Sequence, residues 1–195
     1  VYVRLDPAER FARLKVVRGP GGSTQAIHLG PISSRRVAHL VVEAVHSALP
    51  LRQCTNLPGR SKRSGACLPS QLGLAACPCS GDITPEMYRP VVDSAVDALT
   101  AQPDAVIGPL TERMMRLAGE ERFEEAAAAR DRLAAFESTI ERQRLLDRLR
   151  GTEQLTVREH GVSYLFERGV LTAIGDDAPG DDLSVDGEAA LRLDG

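Results

Sequence analysis

Four cysteines, Cys54, Cys67, Cys77 and Cys79, fall within 26 residues and are the only cysteines in the chain. Twelve, nine and one residues separate them in turn. The stretch around them holds Gly59, Gly65, Gly73 and Gly81 and several prolines, so it reads as irregular. A segment so built has little core of its own, and metal ligation can replace that core. Thiolates grouped on glycine-rich backbone suit a tetrahedral sulfur site for zinc or an iron–sulfur cluster. The spacing lacks the paired CxxC knuckles of the commonest zinc ribbons. A disulfide pair and unconnected buried thiols are the alternatives, although nothing in the sequence implies the secretion that favours disulfides.

Charge is distributed unevenly. Residues 1–81 carry eleven Arg or Lys against Asp6, Glu9 and Glu43, a local charge of +8, whereas the remainder carries thirteen basic and twenty-four acidic groups, or −11. The basic half fits the footprint of a phosphate backbone, with a merely solvated basic surface as the alternative. The acidic half argues against uniform coating by nucleic acid. No run of eighteen apolar residues exists, which excludes a transmembrane helix. The start, VYVRL, carries neither an initiator Met nor a signal pattern and reads as the middle of a strand, so a piece of something longer is expected. With aromatics at 4% and Ala abundant, helices packed through small residues are favoured over a large β-sandwich.

The periodicities give an α+β fold. VYVRL and LKVV are short β-like runs, with a loop or hairpin at the PGGS of 20–23. Ser33 and Ser34 offer an N-cap to a helix whose stripe is Val37, Leu40, Val41, Ala44, Val45 and Ala48, stopped by Pro50. Thr84-Pro85 starts a second helix, which Pro90 is expected to kink or delay. Pro103 opens a third, disturbed in its first half by Gly108-Pro109. Gly119 marks a tight turn into a long helix from Phe123 to about Leu149. There Ala126, Leu133 and Ile140 repeat at sevens with Ala129 and Phe136 between them. The pair reads as an antiparallel helical hairpin with one apolar face exposed for a partner. LTVRE, VSYLFE and VLTAI form a small meander divided at His160-Gly161 and Arg168-Gly169. The expected organisation is 1–50, 51–83 (the cysteine segment), 84–150 (helical), 151–175 (the meander) and 176–195, an acidic tail expected to be flexible.

Other constellations carry less. His39, Glu43 and His46 share a helical strip, a conceivable metal triad, but the strip lies opposite the apolar stripe and reads as a solvated polar face. Acidic residues in 176–188 read as a charged tail rather than a cation site. The sequence contains no GxxxxGK loop, no HExxH and no nucleophile–base pair, so catalytic residues are not assigned.

Five strings in order resemble UvrC-family proteins: LGPISSRR at 29–36, LPLRQC at 49–54, CLPSQLGLAACPCSG at 67–81, ITPEMY at 83–88 and ERMMRLAGEERFEEAAAARDRLAAF at 112–136. The resemblance covers residues 1–145. It implies a [4Fe-4S] cluster on Cys54, Cys67, Cys77 and Cys79, with zinc as the alternative. The family's third cysteine would fall at Ala75, so the ligand at Cys77 is displaced by two residues. The resemblance also implies that a UVR hairpin docks on UvrB, with Phe123 at the contact beside Ala126, Ala127, Arg130 and Leu133. The family's GIY-YIG catalytic core would precede the first residue here. The wording of the strings is closer still to bacterial fusions of a DnaQ-like DEDD exonuclease with a UvrC-like region.

The function so implied is that of part of a cytoplasmic DNA-repair nuclease acting in nucleotide excision repair. In it, Arg35, Arg36, Arg52, Arg60, Lys62 and Arg63 would approach DNA phosphates. The competing reading is a UVR-bearing zinc adaptor with no DNA role.

Overall fold

The structure, a computed structural model, describes residues 1–55 and 65–176. The chain forms two compact units, Val1–Leu145 and Leu146–Gly195. The fold class is α+β, as the periodicities predict.

In the first unit three short strands form an antiparallel sheet in the order β2-β1-β3: β1 is Tyr2–Leu5, β2 Lys15–Val17 and β3 Ile27–Leu29. Val3 of the central strand stands opposite Val16 on one side and Leu29 on the other. Its alternation sends Val3 and Leu5 into the core. The sequence reading missed β3, because IHL is too short to show a period. Gly30, which follows it, has φ +142°, and a Cβ there would lie 2.7 Å from the Tyr2 ring and 2.9 Å from the Val1 carbonyl.

Helix α1 (Arg35–Ala48) starts at Ser34, whose hydroxyl accepts the Val37 amide at 3.2 Å. Its buried face is Ala38, Val41, Ala44 and Val45, and the helix packs against β1, β2 and the later helix Asp104–Gly119. Helices α3 (Pro85–Thr100) and α4 (Asp104–Gly119) each run unbroken through an internal proline, Pro90 or Pro109, and α3 begins at Pro85 without the delay that Pro90 suggested. Each proline is the sixth residue of its helix. The carbonyl it deprives of an amide belongs to Glu86 or Ala105, both exposed, so water can replace the lost bond.

Helix α5 (Phe123–Gly151) follows a three-residue turn. Gly119 is the last residue of α4 rather than the turn itself. Arg122 N–H donates to Leu117 O at 2.9 Å and Glu121 N–H to Ala118 O at 3.1 Å, the two bonds of a Schellman cap, with Glu121 in the left-handed region at φ 59°. The expected seam is buried, but its direction differs from the expectation. Leu133, Phe136 and Ile140 join the main core with Val3, Leu29, Val41, Tyr88 and Leu110, and Ala126 and Ala129 pack on Leu117. The apolar stripe of α5 therefore serves this chain's own core and is not held open for a partner.

In the second unit β4 (Gln154–Glu159), β5 (Val162–Glu167) and β6 (Val170–Asp176) form the expected meander. His160-Gly161 and Arg168-Gly169 all have positive φ, the requirement of two-residue hairpin turns of matching twist. Register places Val157, Tyr164 and Ile174 in one cross-strand row. Residues 177–195, the expected acidic tail, lie outside the described residues. Among those described, no helix is long and apolar enough to cross a membrane.

Candidate metal centre

The cysteine segment hangs from the core by a few buried hydrogen bonds. Leu51 is fully buried, and the Ala76 amide donates to Pro50 O at 2.7 Å. The Arg52 amide donates to the Tyr88 hydroxyl at 2.8 Å, and that hydroxyl donates to Ala12 O at 2.8 Å. Burial pushes the Tyr88 phenol up to about 12, so it remains a donor at neutral pH. The side chain of Arg52 adds bonds to Phe11 O and Thr55 O, both 2.9 Å.

Each cysteine is then placed by short local structure. Cys67 caps the one-turn helix α2 (Leu68–Gln71), with Pro69 in its first turn. The amides of Leu74 and Ala75 fold back onto Pro69 O. Cys77 is extended and leads into a 3₁₀ turn, Pro78–Ser80, which carries Cys79 and closes on Gly81 at φ 86°. The four Sγ atoms all lie within 4.8 Å of one another, and no disulfide joins them. Cys54 Sγ approaches Cys77 Sγ at 2.8 Å, and the Cys67 amide donates to Cys79 Sγ at 3.2 Å. The two-residue displacement of the third cysteine is thus absorbed. Cys77 joins the other three cysteines, with its Sγ against that of Cys54, while Ala75 is simply buried.

Four soft donors that converge within this span suit a single tetrahedral ion, whose bonds of about 2.3 Å set the sulfurs roughly 3.8 Å apart, once the Cys54–Cys77 pair opens from 2.8 Å. A four-iron cubane holds its thiolates farther out, beyond the cube's corners, so this site would have to widen to take one. An amide donating to Sγ is the contact that orients and stabilises a ligating thiolate. Burial, reinforced by the bond with Cys54, pushes the Cys77 thiol well above its ordinary value, so metal binding there must displace a proton.

Arg35 and Arg36 are exposed at the start of α1. Arg52 is 4% exposed and committed to internal carbonyls, which removes it from the set able to meet phosphate. Arg60, Lys62 and Arg63 lie outside the described residues. On the hairpin Phe123 is 66% exposed, Arg130 is exposed beside Asp131 and Ala127 is half-buried, whereas Ala126 and Leu133 are spent on internal packing. An accessible contact face therefore reduces to Phe123, Ala127 and Arg130. The polar strip of α1 is also not uniformly solvated. Glu43 pairs with Arg132 at 2.9 Å, His39 is exposed, and His46 is half-buried with its buried Nε2 lacking a partner. Among the described residues only the cysteines converge as metal ligands.

A small sheet and helical core that carries a converged four-cysteine site and a capped helical hairpin defines a cysteine-centred α+β class. Residues 1–98 match the family model for the UvrC/Cho excinuclease middle domain, and the chain belongs to that family. It is 35% identical over 145 residues to UvrABC system protein C of Syntrophotalea carbinolica, covering 74% of this chain and 23% of that protein. It is 32% identical over 172 residues to the Syntrophus aciditrophicus protein of the same name, covering 88% and 26%. The Geobacter metallireducens protein is 33% identical over 171 residues, covering 86% and 28%. The chain thus spans about a quarter of the length of the curated relatives it matches. No solved structure matches it.

Proposed function

We propose that this chain is the scaffold and adaptor portion of a nucleotide excision repair nuclease of the UvrC kind. Its metal centre fixes the cysteine loop, its hairpin recruits a UvrB-type partner, and its basic surface meets DNA backbone. The incision chemistry would belong to the longer protein. The observation that carries the reading is the convergence of the four cysteine sulfurs in a chain whose relatives are named as UvrABC components. Phe123, standing clear of the core at the mouth of the hairpin with Ala127 and Arg130 beside it, supports the partner role. Arg35 and Arg36, exposed and without carboxylate partners among the described residues, support backbone contact.

The resemblance favours a [4Fe-4S] cluster at the four thiolates, and the bound group would supply a rigid, redox-capable cross-link between the two arms of the loop. Zinc is the second reading, favoured by the 4.8 Å span of the sulfurs. It goes with the adaptor alternative, in which DNA has no part. Anaerobic purification with metal analysis and an absorbance spectrum separates them. A broad band near 400 nm with about four irons per chain supports the cluster, and one colourless zinc supports the alternative. A salt titration of DNA binding tests the remainder, since replacing Arg35 and Arg36 by Ala should flatten the log–log slope by about two if both meet phosphate. No salt-dependent binding by the unaltered chain would leave only the adaptor.

A further inference from the structure

Arg52 carries a positive charge into the interior. Its residue is 4% exposed, and its Nη atoms donate to Phe11 O and Thr55 O at 2.9 Å, while Nε is buried with no partner at all. Among the described residues no carboxylate pairs with it. Two neutral carbonyls solvate part of a guanidinium but do not cancel its charge, and an uncompensated buried cation is unfavourable. Thr55 directly follows Cys54, so the guanidinium grips the backbone of the cysteine loop itself. A divalent ion on four thiolates leaves a net double negative charge in a site where Cys77 and Cys79 are buried. Each of the two charges lacks what the other supplies.

Resting on the four-thiolate reading above, we propose that Arg52 is the internal counter-cation of the cysteine centre, a positioning residue whose charge offsets that of the metal-bound thiolates. The metal-free protein then holds an uncompensated cation, and loading the site relieves it. This makes a sign distinction that a simple structural clamp does not make. Removing the charge should weaken metal binding without a matching loss of stability in the metal-free protein.

The test is a cobalt(II) titration of the metal-free full chain, followed through the thiolate-to-metal charge-transfer and d–d bands, with thermal unfolding of each metal-free variant alongside. Arg52→Lys keeps the charge but loses the fork, and Arg52→Gln keeps a donor but loses the charge. The expected result is affinity within about threefold for R52K and a loss of 10- to 100-fold for R52Q, with the metal-free melting temperatures of the two alike. Equal losses in R52K and R52Q, tracking lowered metal-free melting temperatures, would overturn the counter-cation in favour of a clamp. If R52Q does not fold, R52K decides alone, since a tenfold or greater loss with charge intact rejects the proposal. Failure of the unaltered chain to give a four-thiolate spectrum is a different result. It removes the metal centre, and the proposal with it.

Discussion

The phenol oxygen of Tyr88 accepts the backbone amide of Arg52 at 2.8 Å and donates its own hydrogen to Ala12 O at 2.8 Å. One side chain on α3 thereby ties the start of the cysteine loop to the segment between β1 and β2. Its ring also leans on Phe11, with centroids 5.8 Å apart. Tyr88→Phe keeps the ring and strands a buried amide and a buried carbonyl, so unfolding free energy should fall by about 2 kcal/mol or more. Urea denaturation of the metal-free chain measures it, and a change under 0.5 kcal/mol would show that the hydroxyl is not the bolt.

The two phenylalanines of α5 should separate binding from stability. Phe136 is fully buried in the main core, and Phe136→Ala should cost about 3–5 kcal/mol. Phe123 is exposed, so Phe123→Ala should leave stability within about 0.5 kcal/mol of the parent. If Phe123 is the anchor of a UvrB-type contact, the same change should weaken that association by about 2 kcal/mol, roughly thirtyfold in dissociation constant. Calorimetric titration against the partner reads this directly, and an unchanged constant would move the contact elsewhere.

What the sequence made legible was whatever depends on near neighbours. The Ser34 cap, the stripe of α1, the hairpin turns at His160-Gly161 and Arg168-Gly169, and the cysteine cluster are each written within one short stretch of chain. What it hid depends on distant chain. Arg52 reads as one more basic residue until Phe11 O, 41 positions earlier, is found against its guanidinium. Ala126 and Leu133 read as a partner face because periodicity reports that a stripe exists and not what covers it. Pro90 and Pro109 read as disturbances of their helices because the exposure of the carbonyls they orphan is a property of the folded chain.

His46 gives the protein an acid-sensitive point. Burial holds its imidazole down at about 4, against the opposing pull of Glu43. A histidine held neutral when folded and free to charge when unfolded costs the folded state nothing above pH 6.5 and weakens it progressively as pH falls from there towards about 4. The full loss is on the order of 3 kcal/mol. His46→Leu removes both the proton site and the unpartnered Nε2. Its unfolding free energy should be nearly flat between pH 7 and 4.5 where the parent's declines, once other groups are matched by the difference. Parallel pH profiles in the two proteins would mean that His46 does not titrate on unfolding.

Cys77 tests whether the displaced cysteine is a ligand or a bystander. Its side chain is fully buried, with Sγ 2.8 Å from that of Cys54. A buried thiol behaves as a small apolar group, so Cys77→Ser should cost the metal-free protein only about 1–2 kcal/mol. A ligand is another matter, because a neutral hydroxyl is a far poorer donor to a soft ion than a thiolate. Cobalt(II) bound to C77S should show weakened charge-transfer intensity from three rather than four thiolates and at least tenfold lower affinity. Cys54, Cys67 and Cys79 would then be the whole ligand set only if C77S matched the parent in both spectrum and affinity. That outcome would return the third family position, occupied here by Ala75, to an empty one and leave the fourth ligand to water or another donor.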